Sequence, residues 1–182
     1  MMVHRSGAAF RALRIAVLTI SDTRGLAEDR SGDALCQGIA ESGHELVQRE
    51  LVPDDVYRIR AAVSAWIADP QVQVVLCTGG TGFAARDRTP EALIVLFDQE
   101  VRGFGELFRQ LSFEEIGSST LQSRALAGFA NRTLIACLPG STGACRTAWN
   151  RILREQLDVR HRPCNLAELV LLEERDELGK LN

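Results

Sequence analysis

The sequence predicts an α/β protein, a three-layer α/β/α domain built on a mostly parallel sheet. Three observations carry that prediction. Short apolar runs at residues 15–20, 72–77 and 133–138 have strand length and are apolar on both faces, as strands buried in a parallel sheet are. The segments between them include amphipathic stretches with a 3.6-residue period. Each run ends in a small or polar turn that feeds a loop or a helix. Strands and helices therefore alternate, which implies crossover connections and helices on both faces of the sheet.

The elements follow in order. Residues 1–13 read as a flexible N-terminal tail, and the domain is expected over 14–170, with a charged C-terminal tail at 171–182. Arg14-Ile-Ala-Val-Leu-Thr-Ile20 is the first strand. The polar stretch Ser21 to Arg30 is a loop. Ser31-Gly-Asp33 opens a helix carrying Leu35, Ile39 and Ala40, with Ser31 as its cap and Gly43 as its stop. His44 to Val52 is a second strand. Pro53-Asp54-Asp55 begins a helix whose apolar positions are Val56, Ile59, Ala62, Val63 and Trp66. Val72 to Cys77 is the next strand, followed by Thr78-Gly-Gly-Thr-Gly82. Thr89 is expected to cap a helix with Pro90 at its first position, running to about Asp98. Gly103 to Gly117 is helical, Leu121 to Phe129 is expected to be a short helix, and Thr133 to Leu138 is a fourth strand. Pro139-Gly-Ser141 leads into a helix ending near Leu157, and Asn165 to Glu174 forms one more.

Composition narrows the function classes. A chain of 182 residues with 46% hydrophobic and 25% charged residues suits one globular domain. A net charge of −3 gives no basic footprint, so nucleic acid is not an expected partner. No apolar run reaches the roughly 18 residues of a membrane span. Met1 to Arg14 contains three arginines and no apolar core, so no signal peptide is expected. The five cysteines are odd in number and show no C-x-x-C spacing, so neither a zinc site nor a disulfide framework is expected. A cytoplasmic location follows as the expectation.

In an open parallel sheet, ligands bind beyond the C-terminal ends of the strands. Three loops should meet there: Ser21–Gly32, Gly79–Thr89 and Gly140–Gly143. The glycine turn Gly79-Gly80-Thr81-Gly82 lets backbone N–H groups approach a phosphate, although it lacks the lysine of a P-loop. Asp87 is free of capping duty and can hold Mg²⁺, or pair with Arg86 or Arg88. One of Asp54 and Asp55 should cap a helix, leaving the other for metal or substrate. Ser21 and Asp22 directly follow the first strand. Pro139, Gly140 and Ser141 stand at a helix start, where an anion site and a plain serine cap are both compatible with the sequence. His44 and His161 have no ligand-spaced partners.

Taken together, Thr78-Gly-Gly-Thr-Gly82, Arg86-Asp87 with Thr89-Pro-Glu-Ala92, and Leu138-Pro-Gly140 resemble the MoaB/MogA family of molybdenum cofactor biosynthesis. The resemblance covers about residues 14–167. Val63-Ser-Ala-Trp-Ile-Ala68, Leu111-Ser-Phe-Glu-Glu-Ile-Gly117, Thr120-Leu-Gln-Ser-Arg124, Ala144-Cys-Arg-Thr-Ala-Trp149 and Arg162-Pro-Cys-Asn165 look like its MoaB branch. The resemblance implies Mg²⁺-dependent adenylyl transfer from ATP to molybdopterin, with Asp87 and Asp54 as the functional carboxylates. It also implies a homo-oligomer, a trimer or a hexamer. Two features bear on activity. The turn Pro139-Gly-Ser-Thr-Gly143 has the MoaB form and not the Pro-Gly-x-Pro of enzyme-type members. Against that, the Arg-Asp and Thr-Pro-Glu-Ala patterns, lost in some silent MoaB proteins, are kept here. The implied alternative is a non-catalytic protein that binds pterin or nucleotide.

Overall fold

The computed structural model describes residues 7–23 and 25–171. A six-stranded sheet has the order β2-β1-β3-β6-β5-β4. Strands β1 (Arg14–Ile20), β2 (Glu45–Val52), β3 (Val74–Thr78) and β6 (Thr133–Leu138) run parallel. Strands β5 (Leu126–Ala130) and β4 (Gln99–Glu100) add an antiparallel flank.

Side chains alternate across this sheet, and each face has its own core. Ile15, Val17, Val74, Leu76, Leu134 and Ala136 pack under α1 (Arg30–Glu41), α4 (Arg102–Ile116) and α5 (Thr142–Ala148). Trp149, in the π-helical turn Trp149–Leu153 that continues α5 into α6 (Arg154–Gln156), joins this core. On the other face Ala16, Leu18, Val75, Cys77, Ile135 and Cys137 meet α2 (Val56–Ala68) and α3 (Thr89–Leu93). The layers are therefore α/β/α, as the sequence predicts. Leu35 and Ile39 of α1 are fully buried. Each contributes about 1.5–3 kcal/mol, more than the differences of under about 1 kcal/mol in helix propensity. Burial, and not propensity, sets where α1 lies.

The expected helix at Leu121–Phe129 is not formed. Residues Gly117–Gln122 are a 3-10 turn, and Leu126–Ala130 is the strand β5. A two-residue hairpin at Asn131 and Arg132 joins β5 to β6, with φ of 44° and 74°. Positive φ at both central residues matches the twist of a tight hairpin. Leu-Ala-Gly-Phe-Ala has no strong local preference, and antiparallel pairing with β6 decides its state. The two-residue β4 carried no readable pattern.

Two expected caps are also corrected. Asp29, not Ser31, caps α1, accepting from the Gly32 N–H at 2.9 Å. Ser31 lies inside the helix, and its hydroxyl donates to the Gly140 carbonyl at 3.1 Å. Thr89 is the first residue of α3, with Arg88 at the cap position and no side-chain capping bond. Helix α3 stops at Leu93 and passes into a 3-10 turn, Ile94–Leu96. Asp55 caps α2 by accepting from the N–H groups of Tyr57 and Arg58, which leaves Asp54 for other contacts. Residues 7–12 carry no helix or strand, yet Leu13 is buried and Phe10 packs on the His44 ring. At the other end, residues 166–171 are helical, and the rest of the expected C-terminal helix and tail lies outside the described residues.

Candidate functional site

Because β1, β3 and β6 are neighbours and run the same way, the loops after them emerge side by side. The chain leaves β1 for β2 on one flank and comes back to β3 on the other, so a topological switch point lies beyond β1 and β3. The three loops touch there. A side chain at Gly79 would place its Cβ 2.2 Å from the Ile20 carbonyl oxygen, and one at Gly140 would reach 3.1 Å from Gly79 Cα. Gly79 and Gly80 have φ of 111° and 62°. Only glycine adopts this sharp, close-packed turn without strain.

A cleft of about 170 Å³ opens at this meeting point. Of the sequence-predicted residues, Ser21, Asp22, Asp54, Gly79, Gly80, Asp87 and Gly140 line it. Thr81, Gly82, Pro139 and Ser141 do not. Thr81 is buried, and its carbonyl and that of Gly82 accept from the Arg124 guanidinium. The Pro139 carbonyl accepts from the Thr78 hydroxyl, and Ser141 caps α5 by accepting from the Ala144 N–H. Thr19, Ile20, Thr23, Ser31, Thr78 and Arg86 complete the lining. Their signal was position: each stands at a strand end, in the loop after β1, in the glycine loop or in the first turn of α1.

The carboxylates differ in their surroundings. The Asp54 N–H donates to Asp22 Oδ1 at 2.8 Å, which ties the α2 start to the loop after β1. Asp54 Oδ1 accepts from the Arg88 N–H at 3.3 Å. Burial raises the Asp54 carboxyl above the ordinary carboxylate range, and the charges of Asp87 and Asp22 push the same way. The Arg88 N–H and the Arg86 charge oppose them without prevailing. Asp87 Oδ2 accepts from the Ala84 N–H at 2.8 Å. A Cβ at Gly80 would meet Thr89 Oγ1 at 2.2 Å and Asp54 Oδ2 at 2.7 Å. Thr89 Oγ1 is buried and makes no hydrogen bond among the described residues.

Beneath the cleft lies a carboxylate that the sequence reading passed over. Asp29 is fully buried and accepts from the Thr19 hydroxyl at 2.7 Å and from Arg49 at 2.9 Å, besides capping α1. Burial works against its ionisation. The donors Thr19, Gly32 and Arg49 outweigh it and hold the carboxyl below the usual range.

The cleft is smaller than the roughly 300–1,000 Å³ of a site that encloses a drug-sized ligand. It suits the phosphate end of a larger molecule, whose remainder would lie across the loops. Its oxygen-rich lining is a hard donor set suited to Mg²⁺. Among the described residues no group of three or more His, Cys, Asp or Glu is arranged to hold a metal alone.

Residues 16–159 match a family described as a probable molybdopterin binding domain. The chain belongs to this family. It is 60% identical over 156 residues to molybdenum cofactor biosynthesis protein B of Escherichia coli K12, spanning 86% of this chain and 92% of that one. A crystal structure of a molybdenum cofactor biosynthesis protein B superposes with a TM-score of 0.84 at 40% identity, covering 92% of this chain and 99% of the other. The tungsten cofactor synthesizing protein MoaB of Pyrococcus furiosus superposes with a TM-score of 0.74 at 36% identity, covering 81% and 94%. Among the described residues no helix is long and apolar enough to cross a membrane.

Proposed function

We propose that this protein acts in molybdenum cofactor biosynthesis, transferring the adenylyl group of ATP to the terminal phosphate of molybdopterin and releasing pyrophosphate. The observation that carries the reading is the pairing, at one small cleft, of a backbone phosphate cradle with two carboxylates. Gly79 and Gly80 form the turn of that cradle, in which the Gly79 N–H is bonded to the Leu138 carbonyl at 3.0 Å so that Gly80 would be the donor, and Asp54 and Asp87 are the carboxylates. A phosphate oxygen of molybdopterin forms a bond to the α-phosphorus of ATP as the bond from that phosphorus to the β-phosphate oxygen breaks. The attacking phosphate is already an anion, so no strong base is needed. Positioning and charge neutralisation are the demands.

The chain's residues meet these demands in distinct ways. The glycine turn and the N-terminal turn of α1 at Ser31 face the phosphates, and Arg86 offsets their charge. Asp87 and Asp54 would hold Mg²⁺, with Asp22 beside Asp54. Bound there, the ion supplies neutralisation of the triphosphate and of the departing pyrophosphate. The raised Asp54 carboxyl supports this, because an under-compensated carboxylate gains most from a cation. The ring systems would lie outside the cleft, across Phe83 and the neighbouring loops. A homo-oligomer, trimer or hexamer, belongs to the same reading. Phe113, Ile116 and Leu121 are exposed on and after α4, which supports a subunit contact there.

The test is single-turnover adenylylation. Purified protein is mixed with molybdopterin, ATP and Mg²⁺, beside an Asp87→Ala variant. Adenylylated pterin from the parent, with almost none from the variant, is the expected result. A folded parent that binds molybdopterin yet forms no product would overturn transfer and leave a binding protein of the same pathway.

A further inference from the structure

We infer that Arg124 is a positioning residue that sets the shape of the Thr81–Asp87 loop and so aims Asp87 into the cleft. The inference rests on the adenylyl-transfer reading for its consequence in turnover, but not for the contact itself. Arg124 stands just before β5, 37 to 43 residues from the carbonyls it holds. Its Nε donates to the Gly82 carbonyl at 2.9 Å and to the Thr81 carbonyl at 3.3 Å. Its Nη2 donates to the Asp87 carbonyl at 2.6 Å. Its Nη1 pairs with Glu91 Oε1 in the first turn of α3. Its backbone N–H also donates to the Thr81 carbonyl, at 3.2 Å. The guanidinium carbon lies 5.2 Å from the centroid of the Phe83 ring, which covers it.

One planar fork thus closes both ends of the loop. Within the loop the Asp87 N–H bonds to the Ala84 carbonyl, and Asp87 Oδ2 accepts from the Ala84 N–H. The Asp87 carboxylate is therefore fixed to a turn, and Arg124 fixes that turn to the sheet. Glu91 anchors the guanidinium from the far side. Burial works against Glu91 ionisation, but the Arg124 hydrogen bond prevails and holds its carboxyl below the ordinary range. A lysine has one compact charge and no fork, so it cannot reach Gly82, Asp87 and Glu91 together.

The experiment compares the parent with Arg124→Lys and Arg124→Met. Two readouts are taken: amide hydrogen exchange by mass spectrometry, and single-turnover adenylylation with molybdopterin affinity. In both variants, peptides spanning residues 81–88 should exchange faster while those of β3 stay protected. The turnover rate at saturating substrate should fall about 100-fold, with molybdopterin affinity changed at most about threefold, because the loss is in alignment. Parent-like exchange in 81–88 would overturn the inference. So would parent-like turnover in Arg124→Lys, which would leave charge alone as the contribution. Loosening that spreads equally into β3 would make Arg124 a general stabiliser and overturn it too. If the parent itself does not turn over, the adenylyl-transfer reading fails, and the exchange readout alone decides the positioning of the loop.

Discussion

Replacing Gly79 by alanine tests whether the three site loops are held by backbone contact. The new Cβ would stand 2.2 Å from the Ile20 carbonyl oxygen. An ordinary C···O approach is about 3.3 Å, so the end of β1 and the glycine turn must part by about 1 Å. A non-glycine residue at φ of 111° adds backbone strain. Left-handed backbone costs about 1–2 kcal/mol and overpacking about 1–3 kcal/mol, which sum to about 2–5 kcal/mol. For a chain of this size that lowers Tm by about 10 °C. Neither partner can relieve the clash by a rotamer change, because both are main chain. The assay is thermal unfolding followed by circular dichroism, with Gly103→Ala as the control. Gly103 lies in the first turn of α4 with nothing near its Cβ position, so that change should be neutral or slightly stabilising. Gly79→Ala unfolding within about 2 °C of the parent would refute the reasoning, since strain of the stated size cannot hide there.

Three further outcomes follow from the carboxylates and the buried histidine. Asp54 has a raised folded-state pKa, so the unfolded chain releases this proton first, and stability falls as pH rises through and above the ordinary value of 3.8. Asp54→Asn should therefore raise the urea midpoint at pH 7 while abolishing adenylylation, and a lowered midpoint would contradict the assignment. His44 is buried, its Nδ1 accepts from the Leu13 N–H at 3.1 Å, and burial lowers its pKa despite Asp158. Its contribution is present above 6.5 and is lost as pH falls through the folded value. Urea midpoints should thus drop from pH 7.5 to pH 5.5, with the drop reduced in His44→Asn. Asp29→Asn should cost about 2 kcal/mol by urea denaturation at pH 7, less than the 3–5 kcal/mol of a fully buried pair, because Arg49 keeps Asp33 and part of its hydration. No measurable cost would show that Thr19 and Arg49 do not depend on the charge.

Much of the fold was legible because the central strands announce themselves. β1, β3 and β6 are buried on both faces, and a nearly continuous apolar run has few other homes. β5 was misread because Leu-Ala-Gly-Phe-Ala has no strong preference, and its state is decided by β6 across the hairpin. The caps at Asp29 and Arg88 were misplaced for a related reason. Ser31 is a good capping residue by type, but its hydroxyl is engaged with Gly140, 109 residues away. At the site, strand-end glycines and acids were readable from position. Arg124 was not, because its partners are carbonyls 37 to 43 residues away, and carbonyls leave no trace in composition.

The contrast between Asp29 and Asp54 shows what residue type alone leaves undecided. Both are aspartates beside helix starts, and both lie next to the same cleft. Asp29 is wholly buried, yet a hydroxyl, a backbone N–H and a guanidinium satisfy it, and its carboxyl is held low. It has nothing left to offer a ligand and serves to join β1, α1 and β2. Asp54 keeps more exposure but accepts from one N–H at 3.3 Å, with two like charges nearby, and its carboxyl is held high. Desolvation without compensation costs the fold stability unless something positive arrives. On the proposed reading, the acid that is worst served by its own protein is the one that would receive a cation with the substrate phosphates. That distinction rests on donors counted in space, where the two aspartates part company.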